Sequence, residues 1–112
     1  MIEADLLKRD GRFSLVVSGH AGYSRSGDDI VCAAVSGIVY ALAGYLTNEC
    51  EGAMVNALRP GLASIECGGG GEAAMRMAYI GLLQLALTYP EFVSIRCDAW
   101  AVNVGRARDV VA

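Results

Sequence analysis

The residues 19–36 read GHAGYSRSGDDIVCAAVS and set the chain's single histidine, His20, a short polar loop ahead of Cys32. A cysteine becomes a nucleophile as its thiolate, and two features of this stretch favour that form. Cys32 falls in the first turn of an apolar run that starts at Ile30, where the free N–H groups and positive pole of a helix attract an anion. His20 can accept the thiol proton if the loop folds back. Attack on a peptide carbonyl would then place the oxyanion at the backbone amides of the helix start, that of Cys32 included.

Asp28 and Asp29 set negative charge beside the same turn and oppose this field. Asp29 resolves the conflict either by capping the helix or by orienting His20 as the third member of a triad, and spacing leaves both open. Ser36 lies one turn beyond Cys32, where it lines a site or bonds back to the preceding turn; spacing alone favours the second. Gly19 permits close approach of a peptide or simply ends a strand. Tyr23, Ser24, Arg25 and Ser26 are polar loop residues, and in an enzyme they would form a lid.

Other chemistries fit less well. No pair among Cys32, Cys50, Cys67 and Cys97 has CxxC spacing, so the expectation is four reduced thiols and no metal site. GGGGE at 68–72 lacks the Lys-Ser/Thr of a phosphate-binding loop and reads as a flexible connection. The scheme needs no cofactor.

The elements that must position these groups follow from periodicity. Alternation in IEADLL and FSLVVS around Asp10-Gly11 predicts a β-hairpin, with Gly19 and His20 at the exit of its second strand. A helix follows from Ile30 to about Thr47. MVNALRPGLASIEC predicts a second hairpin turning at Pro60-Gly61. Ala74, Met77, Ala78, Gly81, Leu82 and Leu85 share one face of a helix over 72–88 that Pro90 ends. Phe92 to Asp98 reads as a last strand, with alternation continuing through Trp100, Val102 and Val104 before a short tail. The expected fold is α+β in the order β-β-α-β-β-α-β: a mainly antiparallel sheet with two helices on one face. Residues 1–112 form a single domain, 98–112 being strand extension and tail.

Of the 112 residues, 54% are hydrophobic and 19% charged, which suits a globular core. A net charge of −3 gives no footprint for nucleic acid. The run from Ile30 to Leu46 is too short and too interrupted for a membrane span, and it lacks basic flanks. MIEADLLKRD lacks the pattern of a secretory signal, so a cytoplasmic location is expected.

On GHA, the polar loop ending in glycine, and DIVCAAVS, the chain resembles the ribosomal-processing cysteine proteases, or Prp, of Firmicutes and related bacteria. The resemblance implies an endopeptidase that removes the N-terminal extension of large-subunit ribosomal protein twenty-seven. It implies a homodimer, His20 and Cys32 as the catalytic pair, and Gly19, Asp29 and Ser36 as accompanying motif residues. It also implies that the loop before the cysteine helix orders around substrate. The competing reading is a non-catalytic, ribosome-associated peptide-binding module in which Cys32 is merely a buried thiol.

Overall fold

The computed structural model describes residues 1–25, 27–102 and 104–111. Strands β1 (Ile2–Arg9) and β2 (Arg12–Ser18) form the expected hairpin. Its turn places Asp10 at φ 51° and Gly11 at φ 77°, the left-handed pair that matches the twist of antiparallel strands. Helix α1 (Ile30–Glu49) leads to the hairpin of β3 (Met54–Arg59) and β4 (Leu62–Cys67). Helix α2 (Glu72–Thr88) then carries the chain back to β5 (Val93–Cys97).

The strands form one sheet in the order β3-β4-β2-β1-β5. Register stacks Ile2, Ala4 and Leu6 with Leu15, Val17, Ala63, Ile65 and Val93 on one face, all buried under the helices. From α1, Val31, Val35, Val39, Leu42 and Leu46 pack on that layer; from α2, Met75, Ala78, Tyr79 and Leu82 do so. By length and composition α1 is apolar enough to cross a membrane, but this stripe is committed to the sheet.

The α+β class and the mainly antiparallel sheet hold, three of the four strand pairings being antiparallel, and four features add to or depart from the expectation. First, the sheet is mixed: β5 joins the free edge of β1 in parallel, because β4 and α2 run in opposite directions and return the chain to the end where β1 starts. Second, the strand expected to continue past Asp98 stops at Cys97, and Val104–Val111 forms a third helix, α3. Trp100 causes the break by folding back to stack on Phe13 at 5.3 Å and to donate from Nε1 to Glu72 at 3.0 Å. Asn103 and Ala112, within the expected extension and tail, lie outside the described residues.

Third, the buried face of α2 is rotated from the expected one, leaving Met77 72% exposed. Gly81 instead lets α1 approach, since a β-carbon there would meet Ile38 Cδ1 at 3.1 Å. Fourth, the four glycines are not a loose connector. Gly69–Gly71 form a 3-10 turn, and Gly71 is buried where a β-carbon would lie 2.7 Å from both Cys67 Sγ and Leu46 Cδ2.

Candidate active site

Four chain segments meet at one end of the sheet: the exit of β2, the start of α1, the β3–β4 turn and the start of β1. Between them lies an open cleft of about 570 Å³, lined on one side by Cys32, Ser36, Val39 and Tyr40 of α1. The turn residues Leu58 to Leu62 form the opposite wall, and Gly19, His20, Gly22 and Ser24 close one end.

Asp29 organises the helix side. It is the N-cap of α1, with Oδ1 accepting from the N–H groups of Val31 and Cys32, each at 3.0 Å. Its Oδ2 accepts from Tyr23 N–H at 3.0 Å and Ser24 N–H at 3.2 Å. The side chain is buried and both oxygens are used on backbone amides, none on His20. Of the two roles left open by the sequence, the geometry supplies capping, and adds a grip on the loop that spacing did not reveal. The amide hydrogen bonds, that from Cys32 foremost, outweigh desolvation and hold the Asp29 carboxyl below the usual aspartate range.

This cap removes one expected contribution. The N–H of Cys32 is already taken by Asp29 and is not free for an oxyanion. The amide beside the sulfur is that of Ala21, which donates to Cys32 Sγ at 3.3 Å. The residue after the histidine therefore touches the cysteine, so the loop folds back over the helix start, but it brings the Ala21 amide and not the His20 ring to the sulfur.

His20 is exposed at the cleft rim, and its ring rests on the β3–β4 turn. A β-carbon on Gly61 would stand 2.9 Å from His20 Nε2, and Gly19 N–H donates to Gly61 O at 2.9 Å. Among the described residues no hydrogen bond joins the ring to Cys32, so proton transfer requires the imidazole to turn across the cleft. Gly61 was legible only as a turn former. Its place beside His20 follows from the pairing of Ser18 with Leu62, a register the sequence does not disclose.

Gly19 sits at φ 89°, and a β-carbon there would strike the Met1 carbonyl oxygen. Its backbone freedom thus serves contact with the N-terminal strand while it also lines the cleft. Ser36 is exposed in the cleft one turn from Cys32, and among the described residues its hydroxyl makes no hydrogen bond, so it does not bond back to its helix. Ser26 lies outside the described residues. Among the described residues no group of three or more His, Cys, Asp or Glu side chains is placed to hold a metal ion.

A thiol on the first turn of a capped helix, facing a histidine across an open groove, is the arrangement of a cysteine peptidase. Comparison with known proteins agrees. The sequence model of the family "Cysteine protease Prp" matches residues 1–94. The ribosomal processing cysteine protease Prp of Mycoplasma pneumoniae is 38% identical over 84 residues, 71% of this chain and 82% of its own. The crystal structure of the ribosomal processing protease Prp from S. aureus, in complex with a covalently linked product peptide, superposes with a TM-score of 0.78 at 20% identity. It covers 88% of this chain and 100% of that one. A Streptococcus mutans structure superposes at 0.65 with 27% identity, over 87% of this chain and 93% of its own. The chain belongs to the Prp family of cysteine proteases.

Two outcomes test this geometry. Because the folded carboxyl of Asp29 titrates below its unfolded value of about 3.9, its contribution to stability is complete above that value and is lost as pH falls through the folded one. Melting temperature measured from pH 6 down to about pH 3 should therefore fall less steeply for Asp29→Asn, which starts from a lower plateau. Gly61→Ala and Gly11→Ala place the same strain on left-handed turn residues, but only the first pushes on His20. Both should lower stability by about 1 kcal/mol, while peptidase activity falls at least about tenfold in Gly61→Ala alone.

Proposed function

We propose that this cysteine protease removes the N-terminal extension of large-subunit ribosomal protein twenty-seven, with His20 and Cys32 as its catalytic pair. The observation that carries the reading is the convergence of Cys32 Sγ, the Ala21 N–H and His20 on one peptide-sized cleft in a chain of the Prp family. The Mycoplasma relative is a ribosomal processing protease, and structures of the S. aureus protein hold product and substrate peptides. The net charge of −3 and the largely apolar cleft wall suit a peptide better than a nucleic acid.

In this mechanism His20 takes the Cys32 proton and the thiolate attacks the scissile carbonyl. The Ala21 N–H, already directed at the sulfur, donates to the adjacent oxyanion. Collapse of the tetrahedral intermediate breaks the C–N bond as His20 returns its proton to the leaving amine. Water activated by the same imidazole then hydrolyses the thioester. Ser36 faces the bound peptide and Gly19 lets the strand carrying His20 close against the N-terminus. Asp29 acts on the site through the backbone it holds.

We further propose that the enzyme works in the cytoplasm as a homodimer. Support for the dimer comes from the side of α1 away from the cleft, which carries no charge from Ile30 to Asn48 and leaves Ile30 and Tyr45 each more than half exposed. Sedimentation at micromolar concentration should give a species twice the 11.7 kDa chain mass; an 11.7 kDa species would overturn it.

Incubation with an extension-bearing ribosomal substrate tests the activity. Wild type should cleave, while Cys32→Ala and His20→Ala should each lose at least about a thousandfold in turnover. Cleavage that persists in Cys32→Ala would sink the mechanism. Binding without cleavage by the wild type would favour the non-catalytic, ribosome-associated module.

A further inference from the structure

The cleft extends well past the reacting groups. Cys32, Ser36 and Tyr40 recur at every fourth residue of α1, so they share one face of the helix and line the same wall. From Cys32 to Tyr40 the helix advances about 12 Å at 1.5 Å per residue. The Tyr40 ring is 56% exposed, and among the described residues it makes no aromatic contact and no hydrogen bond.

Strand register builds the facing wall. Leu58 pairs with Ala63, which is buried on the side of the sheet that carries the helices, so Leu58 points to that side as well. Strand β3 is the edge of the sheet, and Leu58 is left 40% exposed there. It stands three residues before Gly61, so about 10 Å back along β3 from the turn on which His20 rests. Because β3 runs toward that turn and α1 runs away from it, Tyr40 and Leu58 stand at matching distances from the reacting pair. Buried Val39 and Ala63 line the cleft with them, giving it an apolar far end opposite His20.

The chemistry gives a peptide in this cleft a direction. His20 returns its proton to the leaving amine, so the residues after the scissile bond depart past the His20 end, and the half that is acylated onto Cys32 runs toward Tyr40. An extended chain advances about 3.3 Å per residue, so the far end meets the third or fourth residue before the bond. We infer that Tyr40 and Leu58 form a subsite that selects a large apolar side chain at that position, with Tyr40 as a specificity-determining residue. This role rests on the reading of Cys32 and His20 as the catalytic pair. The selected side chain lies in the extension that is removed, so the mature product carries away nothing that the subsite binds.

The test uses extension peptides that carry Leu or Ala at the third or the fourth residue before the scissile bond, cleaved by wild type, Tyr40→Ala and Tyr40→Phe. The Tyr40 ring is largely exposed, so both variants keep the fold, checked by melting temperature. At one of the two positions wild type should cleave the Leu peptide with kcat/KM about tenfold above its Ala counterpart, as expected for partly burying one branched side chain. In Tyr40→Ala that ratio should shrink to within about twofold, while Tyr40→Phe, which keeps the ring, should hold the wild-type ratio. A wild-type ratio near unity at both positions overturns the subsite, and a tenfold ratio that survives in Tyr40→Ala overturns the role of Tyr40. Faster cleavage of a Glu peptide than of the Leu peptide, reversed by Arg59→Ala, overturns the apolar selection, because Arg59 also lines the cleft. If Cys32→Ala still cleaves, the catalytic-pair reading fails separately. If no peptide is cleaved, the Leu-to-Ala ratio of peptide Kd on Cys32→Ala, with and without Tyr40→Ala, decides the subsite alone.

Discussion

One carboxylate holds the working end of this protein together. A helix start leaves backbone N–H groups without partners, and a loop that doubles back over it leaves more. Asp29 satisfies two of each from a buried position. The consequence reaches the chemistry, because the cap that fixes where Cys32 stands also occupies its amide. Nucleophile and oxyanion donor are therefore supplied by different segments, the first by α1 and the second by the loop that Asp29 binds to it.

Topology explains why such distant residues can cooperate. Strand β2 ends, α1 begins, β3 turns into β4 and β5 begins at the same edge of the layer, because each helix returns the chain antiparallel to the strand before it. The glycines permit close approach at the seams. Gly19 lets the β2 exit lie against Met1, and Gly61 lets the imidazole rest on a turn that would otherwise push it aside.

The sequence disclosed the local elements well, because each carries its own periodicity. Both hairpins and the span of α2 agree with the turn and helix signals, and α1 runs two residues past the expected end. What it did not disclose depends on pairing between distant strands. The parallel attachment of β5 and the seat of His20 on Gly61 both require knowing which edge each strand joins. The C-terminal helix escaped for another reason. Trp100, Val102 and Val104 keep a strand-like alternation, but the indole gains more by stacking across Phe13 and reaching Glu72 than by extending an edge strand. Around Cys32, residue types and order pointed to the nucleophile's position on its helix, whereas which amide is free beside it depended on how one aspartate spends its oxygens.

That indole has a practical bearing on how the protein can be observed. Trp100 is the sole tryptophan, and it rests on Phe13 at the start of β2, while the cleft opens beyond Ser18 at the other end of the same strand, roughly 20 Å away at 3.3 Å per residue. Its emission is a built-in reporter of whether the C-terminal segment is seated on the sheet, optically separate from events in the cleft.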